Sequence, residues 1–215
     1  MRAVVACEGL YNLVERFAPD AQVRYLPAEL HEFPVNVPLE ETIVQQVQAA
    51  IEALDGPATD AIVVSYALAG ADRATLAARH ADIVVAEPAD CVSTVLPAEG
   101  GSYGERIAEG TLYLTRGWID CGVDSYKLYR AYRDDVDDLV DDFETAAADH
   151  RDMRVGWHRG DRFERAVERR SVPAGGTLDD VFRSIVQYFE RVVLVDTGDL
   201  YEFHHEYAER VRGFL

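Results

Sequence analysis

The chain's 215 residues are enough for one substantial hydrophobic core, and no Ser/Gly/Pro-rich linker divides them convincingly. Thirty-nine acidic residues against twenty-one basic ones give a net charge of −18, with Lys127 the only lysine; this excludes the basic face of a nucleic-acid binder. No apolar run approaches the ~20 residues of a membrane span, and three widely spaced cysteines are a poor disulfide framework, so a single domain over 1–215 in a reducing, cytoplasmic setting is expected.

β-branched runs alternate with helical periodicity through the first half, which is the pattern of βαβ units. Strands are expected at Ala3–Ala6, Gln22–Leu26, Ala61–Ser65, Ile83–Ala86, Thr111–Leu114 and Val192–Val195. The expected fold class is α/β: three-layer and Rossmann-like, a mostly parallel sheet with helices on both faces. Leu39–Leu54 puts Ile43, Val47, Ala50, Ile51 and Leu54 on one stripe suited to packing on a sheet. Asp72–His80 reads as a shorter helix, and Asp124–Asp149 as one long helix that opens an elaborated segment at about 124–176. Pro173-Ala174-Gly175-Gly176 breaks the chain, and Thr177 then N-caps a helix running to about Glu190. An amphipathic helix over Asp199–Phe214 closes the chain.

Aspartate crowds the stretch from Asp134 to Asp142, and alanine is frequent. That composition resembles cytoplasmic proteins of salt-loving archaea, where concentrated salt screens charges over roughly 3 Å. The acidity reads as a solvated surface and not as a dock for a basic partner.

The cysteines share a placement: Cys7 closes the first strand-like run, Cys91 follows Ile83–Asp90, and Cys121 follows Leu112–Asp120. Were these runs neighbouring parallel strands, all three thiols would border the crevice at the carboxyl edge of one sheet, where open α/β sheets bind ligands. Thiolates ligate soft or borderline metals and act as nucleophiles, and a helix N-terminus favours the ionised form. A small buried hydrophobe is the competing role for each. His31, past the second strand, is the imidazole best placed to join them as a ligand or proton carrier; a surface histidine bonded to a carboxylate is its alternative. His204 and His205 sit beside Glu206 at a spacing that gives no shared ligand face, so they are set aside.

Two further stretches are candidates for cofactor binding. Gly101 and Ser102, within Gly100-Gly101-Ser102-Tyr103-Gly104, precede a short helical stretch whose amides could cradle an anion. The stretch lacks both the P-loop ending and the dinucleotide fingerprint, so a plain turn competes. Asp196 and Thr197 follow the last strand and read equally well as crevice residues or as a turn and helix cap.

Several of these fragments occur together and in order: Ala6-Cys7-Glu8, Leu30-His31 followed by Pro34, Asp90-Cys91-Val92, Gly110-Thr111-Leu112-Tyr113-Leu114-Thr115 running into Gly117-Trp118-Ile119-Asp120, and Val195-Asp196-Thr197-Gly198. They resemble the bacterial and archaeal family of domain of unknown function 1638, and the Gly-Trp-Ile-Asp stretch is the most specific of them. The resemblance implies a metal or cofactor site and an association with corrinoid-dependent methyltransferases, near which members are often encoded. Cys7, His31 and Cys91 occupy matching positions. Where the family has Gly-Leu-Cys-Gly this chain has Ala67-Leu68-Ala69-Gly70, and Ala89 replaces the histidine before Asp90-Cys91.

The expected function is therefore a metal- or small-ligand-binding crevice, linked to methyl transfer or one-carbon metabolism. Cys7, His31, Cys91 and Cys121 would hold zinc or another transition metal. The alternative is a non-catalytic accessory protein that holds a small anion or docks a partner. No nucleic acid and no membrane are expected as partners.

Overall fold

The computed structural model describes residues 1–28, 39–66, 68, 75–86, 91–96, 110–122, 124–133, 136–155, 177, 179–180, 183 and 187–215. The chain divides into two compact units, Met1–Glu32 with Val37–Ile107 and Phe33–Asn36 with Ala108–Leu215. The fold is α/β, and every strand pairing among the described residues is parallel.

In the first unit, strands β1 (Arg2–Cys7), β2 (Gln22–Leu26), β3 (Ala61–Ser65) and β4 (Asp82–Val85) lie in the order β2-β1-β3-β4. Burial follows from this order. β1 has neighbours on both sides and is apolar without alternation from Ala3 to Cys7, all buried. The outer strands β2 and β4 alternate, and Val84 on β4 stays exposed. A 3-10 turn (Glu8–Leu10) leads from β1 into helix α1 (Tyr11–Phe17). Helix α2 (Leu39–Leu54) packs on β1, β2 and β3, burying Val47, Ala50, Ile51 and Leu54, the stripe its periodicity predicts. Helix α3 (Cys91–Val95) follows β4.

In the second unit, β5 (Thr111–Thr115) pairs in register with β6 (Arg191–Val195). Helices α4 (Arg116–Cys121), α5 (Ser125–Tyr132) and α6 (Asp137–Asp149) lie between them in sequence, and α7 (Glu202–Phe214) follows β6. Leu114, Ile119, Leu139, Val140, Phe143, Met153, Tyr207 and Val211 form its core.

Three expectations change. Among the described residues, the six strands form two hydrogen-bonded sheets, with β5 and β6 paired to each other and β1–β4 to one another. Apolar patterning identifies a strand but carries no record of which distant strand accepts its hydrogen bonds.

The long helix over Asp124–Asp149 is two helices. Arg133 ends α5 with its N–H shared between Tyr129 and Arg130 carbonyls. Asp137 and Asp138 then occupy the first turn of α6, where unpaired N–H groups and the helix dipole favour carboxylates. The aspartate run breaks the helix because aspartate suits its start better than its interior.

Of the helix expected over Asp72–His80, residues 72–74 lie outside the described residues and 75–80 are not α-helical. Side chains of the α2 region take the backbone groups a helix would use. Gln48 bonds both the N–H and the C=O of Ala77, each at 3.0 Å. Asp55 collects the N–H groups of Arg79, His80 and Ala81 at 2.6, 3.0 and 3.1 Å. These bonds hold the Asp55 carboxyl below its usual range, the Arg79 amide most of all. Thr177 caps as expected: its hydroxyl accepts from Asp180 N–H at 3.2 Å and Asp180 accepts from Thr177 N–H at 2.8 Å.

Candidate functional site

From β1 the chain winds outward to β2 and then returns across to β3 on the other side. The carboxyl ends of β1 and β3 therefore flank a reversal of winding, the position at which open parallel sheets bind ligands. Cys7 is the last residue of β1 and is fully buried. Its Sγ accepts from Gly9 N–H at 3.4 Å, capping the 3-10 turn. The sulfur is thus used as an acceptor at the positive end of a turn, the environment that suits a thiolate or a metal-bound sulfur.

The same edge carries two ties to the end of β2. The Glu8 carboxylate accepts from Ala28 N–H at 3.1 Å, and the buried Tyr66 hydroxyl, one residue past β3, donates to Pro27 C=O at 3.1 Å. Cys91 opens α3 in the same unit. His31, Gly101 and Ser102 lie outside the described residues.

Cys121 differs. The run before it is not one strand: β5 stops at Thr115, whose Oγ1 accepts from Trp118 N–H at 3.2 Å and so starts α4. Cys121 closes that helix in the second unit, and its Sγ donates to Arg154 C=O at 3.7 Å. A sulfur facing a carbonyl oxygen is held as a protonated thiol. Its strand belongs to the β5–β6 sheet, so the condition for three thiols along one sheet edge is not met.

A hollow of about 380 Å³ is lined by Gln48, Glu52, Asp55, Ala77, Arg79 and His80. It lies where the chain enters β3 and β4, opposite the carboxyl edge, and Gln48 and Asp55 are already spent on backbone groups there.

The carboxyl edge of β5–β6 holds a buried polar network. Arg116, the first residue of α4, uses Nε on Asp120 Oδ2 at 3.4 Å. One terminal nitrogen reaches Asp199 C=O at 2.9 Å and its carboxylate at 3.5 Å. The other reaches Asp152 C=O at 3.0 Å and its carboxylate at 3.1 Å. A guanidinium has five N–H donors, and these contacts engage all three of its nitrogens.

His204 on α7 completes the network. Its Nδ1 accepts from Tyr201 N–H at 2.9 Å, so Nε2 carries the proton and donates to Asp120 Oδ1 at 3.0 Å. The Tyr201 ring lies under the Arg116 guanidinium at 4.7 Å and stacks on His150 at 3.6 Å. Its hydroxyl bonds Asp152, which holds that carboxyl below its usual range, helped by Arg116. Burial, and then the same Asp152 bond, raise the Tyr201 phenol.

Asp196 and Thr197 stand at the same edge as a self-contained turn. Asp196 accepts from Gly198 N–H at 2.7 Å, and Gly198 takes φ of +83°, which glycine adopts without strain. The Thr197 hydroxyl bonds the Asp199 carboxylate, which Arg116 also holds.

Lys127 is fully buried as well. Its ammonium donates to Ile119 C=O, and to Gly122 C=O at 2.7 Å, at the carboxyl end of α4. It faces the Phe143 and Tyr207 rings at 4.8 and 5.3 Å. Asp124 caps α5 and accepts from the Tyr207 hydroxyl, which burial and Asp124 together push well above the ordinary phenol range.

Sequence reasoning missed this network. Its signals were faint: His204 falls on the stripe shared by Tyr207, Ala208 and Val211, and Lys127 is the one lysine in a chain that otherwise uses arginine. A model of the family described as protein of unknown function (DUF1638) matches residues 25–214. The chain belongs to that family. Within the matched span of this DUF1638 member lie His31, Cys91, Cys121 and the whole Arg116–Asp120–His204 network, whereas Cys7 precedes it. The most specific stretch of the resemblance, Gly117-Trp118-Ile119-Asp120, supplies the carboxylate that joins arginine to histidine. Neither a search of curated proteins nor one of solved structures returned a match.

Proposed function

We propose that this DUF1638 member is a three-layer, Rossmann-like cytoplasmic protein that binds a metal or a small ligand at the carboxyl edge of β2-β1-β3-β4, in the service of methyl-transfer or one-carbon chemistry. The observation that carries the reading is the buried Cys7 sulfur at the β1/β3 reversal, engaged as a hydrogen-bond acceptor. Cys7 ends β1 and Cys91 follows β4 in one parallel-sheet unit, and in sequence His31 comes after β2.

Two thiols and an imidazole are a donor set suited to zinc or a similar ion, which would keep a thiol ionised or polarise a carbonyl. The acceptor role of Cys7 fits that use. Cys121, held as a donor to a carbonyl in the other unit, is left out of the set. The chain's net charge of −18 supports a salt-rich cytoplasm. No helix among the described residues is long and apolar enough to cross a membrane.

Elemental mass spectrometry of protein purified in molar salt tests the reading. Near-stoichiometric zinc, iron or cobalt that disappears in a Cys7→Ser/Cys91→Ser variant is expected; metal-free, folded protein in both forms overturns it. That second outcome would favour an accessory protein that docks a partner or holds a small anion. Ala69 and Ala89, where the family resemblance expects cysteine and histidine, support that alternative.

A further inference from the structure

We infer that the carboxyl end of α4 is a binding site for a primary ammonium ion, filled in this chain by its own Lys127. The last carbonyls of a helix have no partner within it and carry the negative end of its dipole. At α4 these include the carbonyl of Ile119, in the last turn, and that of Gly122 just past it. Both accept from the Lys127 ammonium, Gly122 at 2.7 Å. The Phe143 and Tyr207 rings complete the enclosure, their centroids 4.8 and 5.3 Å from Nζ. Ring faces are negative and attract a cation most strongly where water is excluded, and Lys127 is fully buried. Tyr207 gives its hydroxyl to the Asp124 carboxylate at 2.5 Å, which enriches the ring that the ammonium meets. Asp124 also accepts the N–H of Lys127 at 3.0 Å, so the residue that caps α5 fixes both the lysine's backbone and one wall of its cage.

The composition of the chain points to the same site. Among twenty-one lysine and arginine residues, Lys127 is the only lysine. An arginine would supply a buried charge but not this geometry. A guanidinium is a flat fork, whereas an ammonium is a compact point charge whose donors turn to meet carbonyls on one side and rings on the other. Carbonyl dipoles and π faces are the elements from which proteins build sites for potassium and for ammonium-type ligands. Here they present negative potential to a single point, so the cage selects for charge. An apolar side chain of similar length fills the volume but leaves the carbonyls without a donor. The cage thereby pins the trailing end of the helix that carries Arg116 and Asp120.

The test is amine rescue in the full chain. Lys127→Ala removes the side chain beyond Cβ, a propylammonium in shape, so propylammonium is the matching probe. 1-Propanol has that shape without the charge, and tetramethylammonium has the charge without N–H donors. Urea midpoints are compared in molar salt at constant ionic strength. Propylammonium is expected to stabilise Lys127→Ala saturably, raising the folded-to-unfolded ratio about tenfold at about ten times its Kd. No saturable effect is expected on wild type, or on Lys127→Met, whose side chain fills the cage. 1-Propanol and tetramethylammonium are expected to give no saturable gain in any form. Lys127→Arg is expected to be less stable than wild type although it keeps the charge. Where Lys127→Ala does not fold alone, its yield on refolding from urea with each additive is the readout, and recovery with propylammonium alone supports the site. Equal responses of Lys127→Ala to the three additives, no response to any of them, or wild-type stability in Lys127→Met or Lys127→Arg overturn the inference.

Discussion

His204 Nε2 meets Asp120 Oδ1 at 3.0 Å although the two residues are 84 apart in sequence, and neither side chain reaches solvent. The bond joins α7 to α4, while the other ring nitrogen accepts the N–H of Tyr201 and so fixes the first turn of α7. Replacing His204 by Ala strands both a buried carboxylate oxygen and a backbone N–H. A loss of about 2–4 kcal/mol is expected. Urea unfolding followed by tyrosine fluorescence measures it. Asp120→Asn, which keeps the shape but not the charge facing Arg116, should cost a comparable amount. The double variant should cost clearly less than the sum, because the two residues share one bond.

Lys127 sets up a labelling experiment. As the only lysine, fully buried with its ammonium on two carbonyls and two ring faces, it should resist an amine-reactive reagent in the native protein. It should react fully in urea. Peptide mass spectrometry distinguishes it from the α-amino group of Met1, which pairs with Asp60 at 2.6 Å on a residue that is 45% exposed. Rapid native labelling of Lys127 would contradict its burial. Lys127→Met should leave Ile119 and Gly122 carbonyls without their donor and cost about 1–3 kcal/mol.

Gly122 and Gly56 make a matched pair. A methyl group at Gly122 would lie 2.7 Å from the Trp118 ring and 2.7 Å from its carbonyl oxygen, whereas at Gly56 it meets nothing within 4 Å. Gly122→Ala is expected to destabilise by about 1–3 kcal/mol. Gly56→Ala is expected to be neutral or to stabilise by about 0.4–1 kcal/mol, by restricting the unfolded chain. Thermal melts of the two variants side by side check both signs.

Acid should release the Asp152 corner in a defined direction. The Tyr201 hydroxyl, followed by Arg116, lowers this carboxyl in the folded state, so the unfolded chain binds the proton more readily. The stabilisation is present above the unfolded value near 3.9 and is lost as pH falls through the lower folded value. Asp152→Asn should therefore flatten the acid limb of the stability curve. The change should be modest, because this side chain is 62% exposed. Stability of the two proteins measured between about pH 6 and pH 3 tests this; parallel curves would argue against it.

What was legible in the sequence was local. Apolar, β-branched runs located the six described strands, and the stripe from Val47 to Leu54 located α2 with its buried face. Thr177 and Asp124 were readable as helix starts because a cap acts within three residues. The misses required distant partners. The helix expected over 72–80 loses its described part to Gln48 and Asp55, more than twenty residues upstream. His204 looked dispensable because its two partners, a backbone N–H and Asp120, leave no trace in the spacing of neighbouring histidines. Cys121 looked like a strand-end thiol because it follows the strand-like run that opens at Leu112, and the change to helix is marked by the Thr115 hydroxyl, whose bond to Trp118 N–H starts α4.

The pairing of β5 with β6 brings Thr111 beside Arg191, eighty residues later, with the Arg191 Nε bonded to the threonine hydroxyl at 2.6 Å. Everything between the two strands is one closed loop of chain. Its closure entropy grows only with the logarithm of its length, so even doubling the loop would add about 0.6 kcal/mol. Length is therefore nearly free in this interval. A lineage can insert or trim residues between α6 and β6 while β5 and β6 keep their register, and members of the family should vary most in size there.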